Sequence, residues 1–243
     1  MNNVAPVIPT RPAHPPDAGE ADLLARLRAG QADAFAELMR RYNRLLFRAA
    51  RGIVGDDAEA QDAVQEGYLR AFLALATFRG EASLATWLTR IVINQALGQQ
   101  RKLGRLVYWD EDLAHQEENA MSPQSSHRTA PADDLTPEEA ASRNELRREL
   151  EAAIDLLPPI YRCVFILRAV QGLDVEDTAA TLQVSQDVVK TRYLRARGML
   201  RRELDSHAAV PLASVHDFLG PRCDDMVSQV LARLRAAGVI RDQ

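Results

Sequence analysis

Wherever apolar residues recur in this sequence they do so at steps of three and four, and no convincing run alternates apolar with polar residues as a half-buried strand would. The chain is therefore expected to be all-α. Leu23, Leu24 and Leu27 begin the stripe, Gly30 interrupts it, and Phe35, Leu38, Met39, Tyr42, Leu45 and Leu46 resume it. Asp56 and Asp57 offer an N-cap for a third helix, with Ala60, Val64, Tyr68, Phe72 and Leu75 inward and an end expected near residues 78–80. Ser83 offers the cap of a fourth, striped by Leu84, Trp87, Leu88, Ile91 and Gln95. Together these make a first helical domain over residues 20–101.

Elsewhere the periodicity fails and then returns. Residues 1–19 carry Pro6, Pro9, Pro12, Pro15 and Pro16, which no helix tolerates, so a disordered arm is expected. Residues 102–136 lose the stripe while acid accumulates at Asp110, Glu111, Asp112, Glu117, Glu118, Asp133 and Asp134, the mark of a flexible acidic linker. Thr136 and Pro137 open a second helical domain over residues 137–204, broken at Pro158 and Pro159 and resumed by Tyr161, Val164, Phe165 and Leu167. Residues 205–243 form a C-terminal extension with one amphipathic helix, striped by Met226, Val227, Val230, Leu231 and Leu234, with Phe218 and Leu219 ahead of it. That helix is expected to dock on the second domain or on a regulator.

Composition narrows the classes. The 243 residues suit two modules, and 47 % hydrophobic with 26 % charged residues excludes a wholly disordered chain. No apolar run approaches the roughly 18 residues that cross a bilayer, and no basic patch precedes an apolar core at the N-terminus, so a cytoplasmic protein without membrane insertion is expected. A net charge of −4 repels phosphate overall, so nucleic-acid binding would have to be local. Cys163 and Cys223 form no spaced pair. Cys223 with His207 and His216 has too few ligands at too irregular a spacing for a metal or redox site, and Cys163 beside Val164 and Phe165 reads as a small buried apolar residue. No metal and no cofactor are expected. Neither a Gly-rich phosphate loop nor a His-Glu-x-x-His motif is present, and all five histidines lie in the arm, the linker or the extension, so an enzyme is not expected.

The most specific local signal lies between positions 173 and 202. Asp174 caps a short helix bearing Ala179 and Leu182, a tight turn follows at Gln183 and Val184, and Ser185 caps a longer helix striped by Val189, Tyr193, Ala196 and Leu200. This is helix-turn-helix spacing. Lys190, Arg192, Arg195, Arg197, Arg201 and Arg202 follow without an acid from position 188 to 202, concentrating positive field where a recognition helix needs it. Gln186 and Lys190 suit base edges in the major groove, and Asp187 suits a cytosine amino group. A solvated basic helix in a bundle gives a similar charge run, but not the capped pair ahead of it. In the first domain, Arg79 and Ser83 lie in a loop before Trp87, while Thr86, Arg90, Asn94 and Arg101 share a polar face. Such a face suits unpaired DNA, with walls for a flipped base and arginines for phosphate. A lone tryptophan on an apolar stripe equally suits the core.

Asp57, Asp62, Gln65, Glu66, Leu69, Arg70 and Phe72, then Phe78, Arg79, Gly80 and Ser83, then Thr86, Trp87, Leu88, Arg90, Ile91 and Asn94, resemble region 2 of the extracytoplasmic-function (group IV) sigma factors of bacterial RNA polymerase. Leu157, Pro158 and Arg162, followed by Val189, Lys190, Thr191, Arg192, Arg195, Ala196 and Arg197, resemble region 4 of the same family. Two motif sets in the right order are more specific than either alone.

The resemblance implies a division of labour. Asp62, Gln65, Glu66, Leu69 and Arg70 would bind core polymerase at the β′ clamp helices, with the β subunit a further neighbour. Arg79, Ser83, Trp87, Arg90, Asn94 and Arg101 would recognise and hold open the minus-ten element. Ser185, Gln186, Asp187, Lys190, Thr191, Arg192, Arg195 and Arg197 would read the minus-thirty-five element as duplex. The acidic linker would stand in for the missing region 3, and an anti-sigma factor would be the regulatory partner. Gln183 replaces the usual turn glycine, and Thr178 stands where the family prefers a bulky aliphatic, which implies looser packing of region 4. Two other readings remain at this point: a polymerase-independent helix-turn-helix regulator, which leaves the first domain unexplained, and a sigma-mimicking adaptor of an anti-sigma protein.

Overall fold

The computed structural model describes residues 18–80, 82–104, 137–204, 215, 216, 218 and 220–240. The arm up to residue 17, the linker beyond Gly104, and residues 205–214 with His207, as well as Leu219, lie outside the described residues. Within them the chain is all-α: α1 (Ala18–Arg28), α2 (Ala32–Val54), α3 (Asp57–Leu73), α4 (Leu84–Lys102), α5 (Pro137–Leu156), α6 (Pro159–Phe165), α7 (Val175–Leu182), α8 (Gln186–Glu203) and α9 (Pro221–Ala236).

Local chemistry starts most of these helices. Asp56 accepts from the Glu59 N–H at 2.9 Å, Ser83 from Thr86 at 3.1 Å, Asp174 from Asp177 at 2.7 Å and Ser185 from Val188 at 3.3 Å, so each satisfies an orphan donor of a first turn. Helix α3 stops at Leu73, short of the expected 78–80. A 3-10 turn over Leu75–Thr77 then tightens the chain, which buries Leu75 and Phe78 and leaves Leu73 outside at 67 % exposure. Sequence periodicity cannot see that change of pitch.

Helices α2, α3 and α4 pack on one another around Phe35, Leu38, Leu46, Phe47, Val64, Tyr68, Leu88 and Val92. The Tyr68 hydroxyl, fully buried, donates to Asn43 Oδ1 at 2.9 Å, and burial pushes its pKa well above the ordinary value. Gly67 lets α3 and α4 approach closely: a Cβ there would lie 2.6 Å from Val92 Cγ2. A second core gathers Leu150, Ile154, Leu157, Phe165 and Ile166 with Ala196 and Leu200 of α8. Here α6 runs on into a π-helical turn over Ile166–Val170.

The two parts meet where α6 lies on α2 and α7 on α4. Arg162, 6 % exposed, donates from Nε to the Gly52 carbonyl at 2.9 Å and from Nη2 to Ile53 at 3.4 Å, taking up carbonyls that the end of α2 leaves open. Its Nη1 donates to the Asp155 carbonyl at 2.8 Å. Gly55, at φ 77°, ends α2 in the left-handed conformation, and a Cβ there would press on the Arg162 guanidinium at 3.0 Å. Beside it Arg51 grips the Asp155 carboxylate with two bonds of 2.9 and 2.7 Å and reaches Asp57 at 2.8 Å.

The start of the extension touches the second part, where Val215 joins the second core and the His216 N–H donates to Glu151 at 2.9 Å, but its helix does not sit there. Helix α9 lies on α2 and α3, burying Met226, Val227, Val230 and Leu234, while Phe218 stacks on Phe47 with centroids 4.4 Å apart. Its stripe had the right period; only the partner differs, because the open apolar groove is between α2 and α3.

Candidate polymerase and DNA surfaces

Three faces carry the residues singled out from the sequence. On α3, Asp62 and Arg70 are exposed, Gln65 and Glu66 half-buried, and Leu69 is 9 % exposed within the main apolar cluster. Glu66 Oε1 lies 3.5 Å from Arg70 Nε one turn on, and its Oε2 lies 3.1 Å from Arg233 of α9. Gln65 Nε2 donates to Gln229 Oε1 at 2.6 Å. Two of the five residues are thus held by the extension.

The second face surrounds the start of α4. Ser83 is committed to capping, with its hydroxyl also 2.9 Å from that of Thr86. Trp87 is half-buried against Phe78, centroids 5.1 Å apart, so part of it packs and part faces outward. Arg79, Asn94 and Arg101 are exposed and Arg90 half-buried. The Phe78 carbonyl accepts from Arg28 at 3.4 Å and the Leu84 N–H donates to Glu20 at 3.2 Å, so α1 braces the loop from behind.

On the third face, α7 and α8 form the helix-turn-helix. Gln183 adopts φ 57°, ψ 42°, the left-handed turn a glycine would favour, at a cost of about 1 kcal/mol. Thr178, fully buried, donates its hydroxyl to the Asp174 carbonyl at 2.7 Å, so the polar atom is satisfied where an aliphatic was expected. Ser185, Gln186, Asp187 and Lys190 are exposed at the start of α8, and Lys190 Nζ lies 3.0 Å from Asp187. Thr191 and Arg197 are half-buried, the latter 5.9 Å over the Tyr193 ring. Arg195 donates to the Tyr161 hydroxyl at 3.4 Å, and Arg192 is buried at 6 % exposure. The exposed set lies in the first turns of α8, where free N–H groups and the helix dipole favour phosphate.

Sequence reasoning did not find the Arg51, Asp155 and Arg162 junction, nor the α9 residues that meet α3. A signal for the latter existed: Arg222, Gln229 and Arg233 share one side of α9, opposite in charge to Asp57 and Glu66. Among the described residues no cluster of His, Cys, Asp and Glu suits a metal, and no helix is long and apolar enough to cross a membrane.

The Sigma-70 region 2 family model matches residues 38–106 and the Sigma-70 region 4 model residues 147–200. The RNA polymerase sigma-H factor of Pseudomonas aeruginosa is 33 % identical over 185 residues, which is 76 % of this chain and 93 % of that protein. This chain is a member of the ECF sigma factors. SigW of Bacillus subtilis, an ECF RNA polymerase sigma factor, is 30 % identical over 74 % of this chain and 94 % of its own length. CnrH, solved in complex with the cytosolic domain of CnrY, superposes with a TM-score of 0.51 at 27 % identity, covering 77 % of this chain and 97 % of that one. As an ECF sigma factor the chain binds core RNA polymerase and promoter DNA and directs transcription initiation, in a family that is not one of catalytic enzymes. Helix α9 lies outside both family models.

Proposed function

We propose that the sigma factor divides its work among the three faces. The α3 face of Asp62, Gln65, Glu66, Leu69 and Arg70 docks on the β′ clamp helices. Arg79, Ser83, Trp87, Arg90, Asn94 and Arg101 capture the minus-ten element as single strand, drawing on base stacking and phosphate neutralisation. The start of α8, with Ser185, Gln186, Asp187, Lys190, Thr191, Arg195 and Arg197, reads the minus-thirty-five duplex, while buried Arg192 supports that helix from within. The protein works in the cytoplasm, has no turnover of its own, and is held in check by an anti-sigma factor.

What supports this reading best is the exposed Gln186, Asp187 and Lys190 behind the Ser185 cap, a polar first turn free to enter a groove. Run-off transcription with core enzyme tests it. Lys190→Glu is expected to cut minus-thirty-five-dependent transcripts by roughly tenfold or more while core affinity stays unchanged. Asp62→Lys is expected to weaken core affinity itself. Loss of core binding in Lys190→Glu would mean that α8 serves the fold instead of the promoter.

A further inference from the structure

Helix α9 runs alongside α3 in the same direction and makes polar contacts with its first half, from Asp57 to Glu66. Arg222 Nη2 contacts Asp57 at 2.9 Å and, in the better amide orientation, Gln61 at 2.8 Å. Gln229 takes Gln65 at 2.6 Å, and Arg233 takes Glu66 at 3.1 Å. On the α2 side, Arg40 lies 3.7 Å from Asp224. Beneath these polar contacts Met226, Val227, Val230 and Leu234 join Leu69 in one apolar cluster. A partner that engages Gln65 and Glu66 as α9 does must offer an acceptor to the amide N–H and a donor to the carboxylate, and α9 already offers both.

From this overlap we infer that α9 is an intramolecular lid over the polymerase-docking face of α3, so that core enzyme binds only the fraction of molecules in which α9 has lifted. The inference rests on the assignment of α3 as the docking face. Two observations carry it independently of that assignment. The contact is specific, with two ion pairs and an amide pair in register along about three turns of α9. Its polar rim is also solvent-facing and each pair there is weak, so what a competing partner must offset is mainly the burial of Met226, Val227, Val230 and Leu234, and α9 lies beyond both family-model segments. The lid lowers apparent core affinity by the closed fraction and leaves intrinsic affinity unchanged.

Hydrogen exchange on the unmodified full chain, with and without core polymerase, tests this. Amides of residues 221–236 should lose protection by about tenfold or more when core is bound; unchanged protection in the complex would overturn the inference. A second arm uses Arg222→Glu with Arg233→Glu, which sets carboxylates against Asp57 and Glu66 and leaves every α3 residue in place. Core affinity should rise about tenfold, and equal or weaker affinity counts against the lid. Asp62→Lys, made in both backgrounds, separates the two ideas. If it weakens binding while the α9 variant changes nothing, only the lid is lost. If it changes nothing in either, the docking face falls and the lid with it.

Discussion

His216 is held in the left-handed region at φ 46° by its surroundings, its N–H donating to Glu151 at 2.9 Å and its carbonyl accepting from Arg48 at 3.4 Å. Its imidazole faces Arg51 from α2, Asp57 from α3, and Glu151 and Asp155 from α5. Burial first, and then Arg51, hold its pKa below the ordinary 6.5, against the three carboxylates. At neutral pH it is therefore uncharged, and Nε2 at 3.6 Å from Asp155 is no ion pair. The unfolded chain takes up a proton near pH 6.5 that the folded chain refuses, so this group's contribution is complete above that value and is lost as pH falls toward the folded pKa. Asp57 behaves likewise at lower pH: burial opposes ionisation, but Arg51 and Arg222 hold its carboxyl below 3.8, so its share is lost only there. Urea midpoints at pH 8 and pH 5.5 should fall between the two for the native chain, and fall less for His216→Gln. At the same scale, burial pushes the Cys163 thiol up to about 12, in keeping with the small apolar residue the sequence suggested. Caps such as Asp56 and Ser83 were legible because a cap and its donor lie three residues apart. The buried position of Arg192 was not, since a basic run names no inward side.

Among elements, α3 and α4 approach closely at Gly67. Gly67→Ala would drive a Cβ to within 2.6 Å of Val92 Cγ2 and 3.3 Å of Val92 Cα, so a stiff β-branched side chain and its helix must both give. Overpacking costs about 1 to 3 kcal/mol and the better helix propensity returns about 1. Denaturant unfolding should show a net loss of up to roughly 2 kcal/mol, and a stabilised variant would mean that the helices separate freely. Because α3 carries the proposed docking face and α4 most of the proposed minus-ten residues, that spacing also sets how the two faces are held together. Helix existence was legible throughout from the apolar stripe, α9 included. The seat of α9 was not: Met226, Val230 and Leu234 specify that one side is buried, and only the shape of the groove between α2 and α3 specifies where.

At the scale of the whole molecule, the main apolar cluster runs from Leu23 through Cys163, Val164 and Val189 to Leu234, so residues of regions 2 and 4 and of the extension share one core. Two polar junctions reinforce it: Arg162 on the last carbonyls of α2, and Arg51 on Asp155. A shared core with a charged clasp should unfold as one cooperative transition. Asp155→Ala removes the clasp but not Arg162, whose bond at that position goes to the Asp155 carbonyl and survives the substitution. It leaves Arg51, only 10 % exposed at its side chain, with Asp57 as its remaining carboxylate. A partly buried bidentate pair falls between the surface and buried limits, so the loss should be about 2 kcal/mol. That loss falls on the contact between α2 and α5 instead of on either core. Calorimetry should therefore show the single transition broaden or divide, the region 4 part melting first because its own core is the smaller. An unchanged single transition would place the coupling in the apolar contacts of α6 with α2 and α7 with α4 together with the Arg162 bonds.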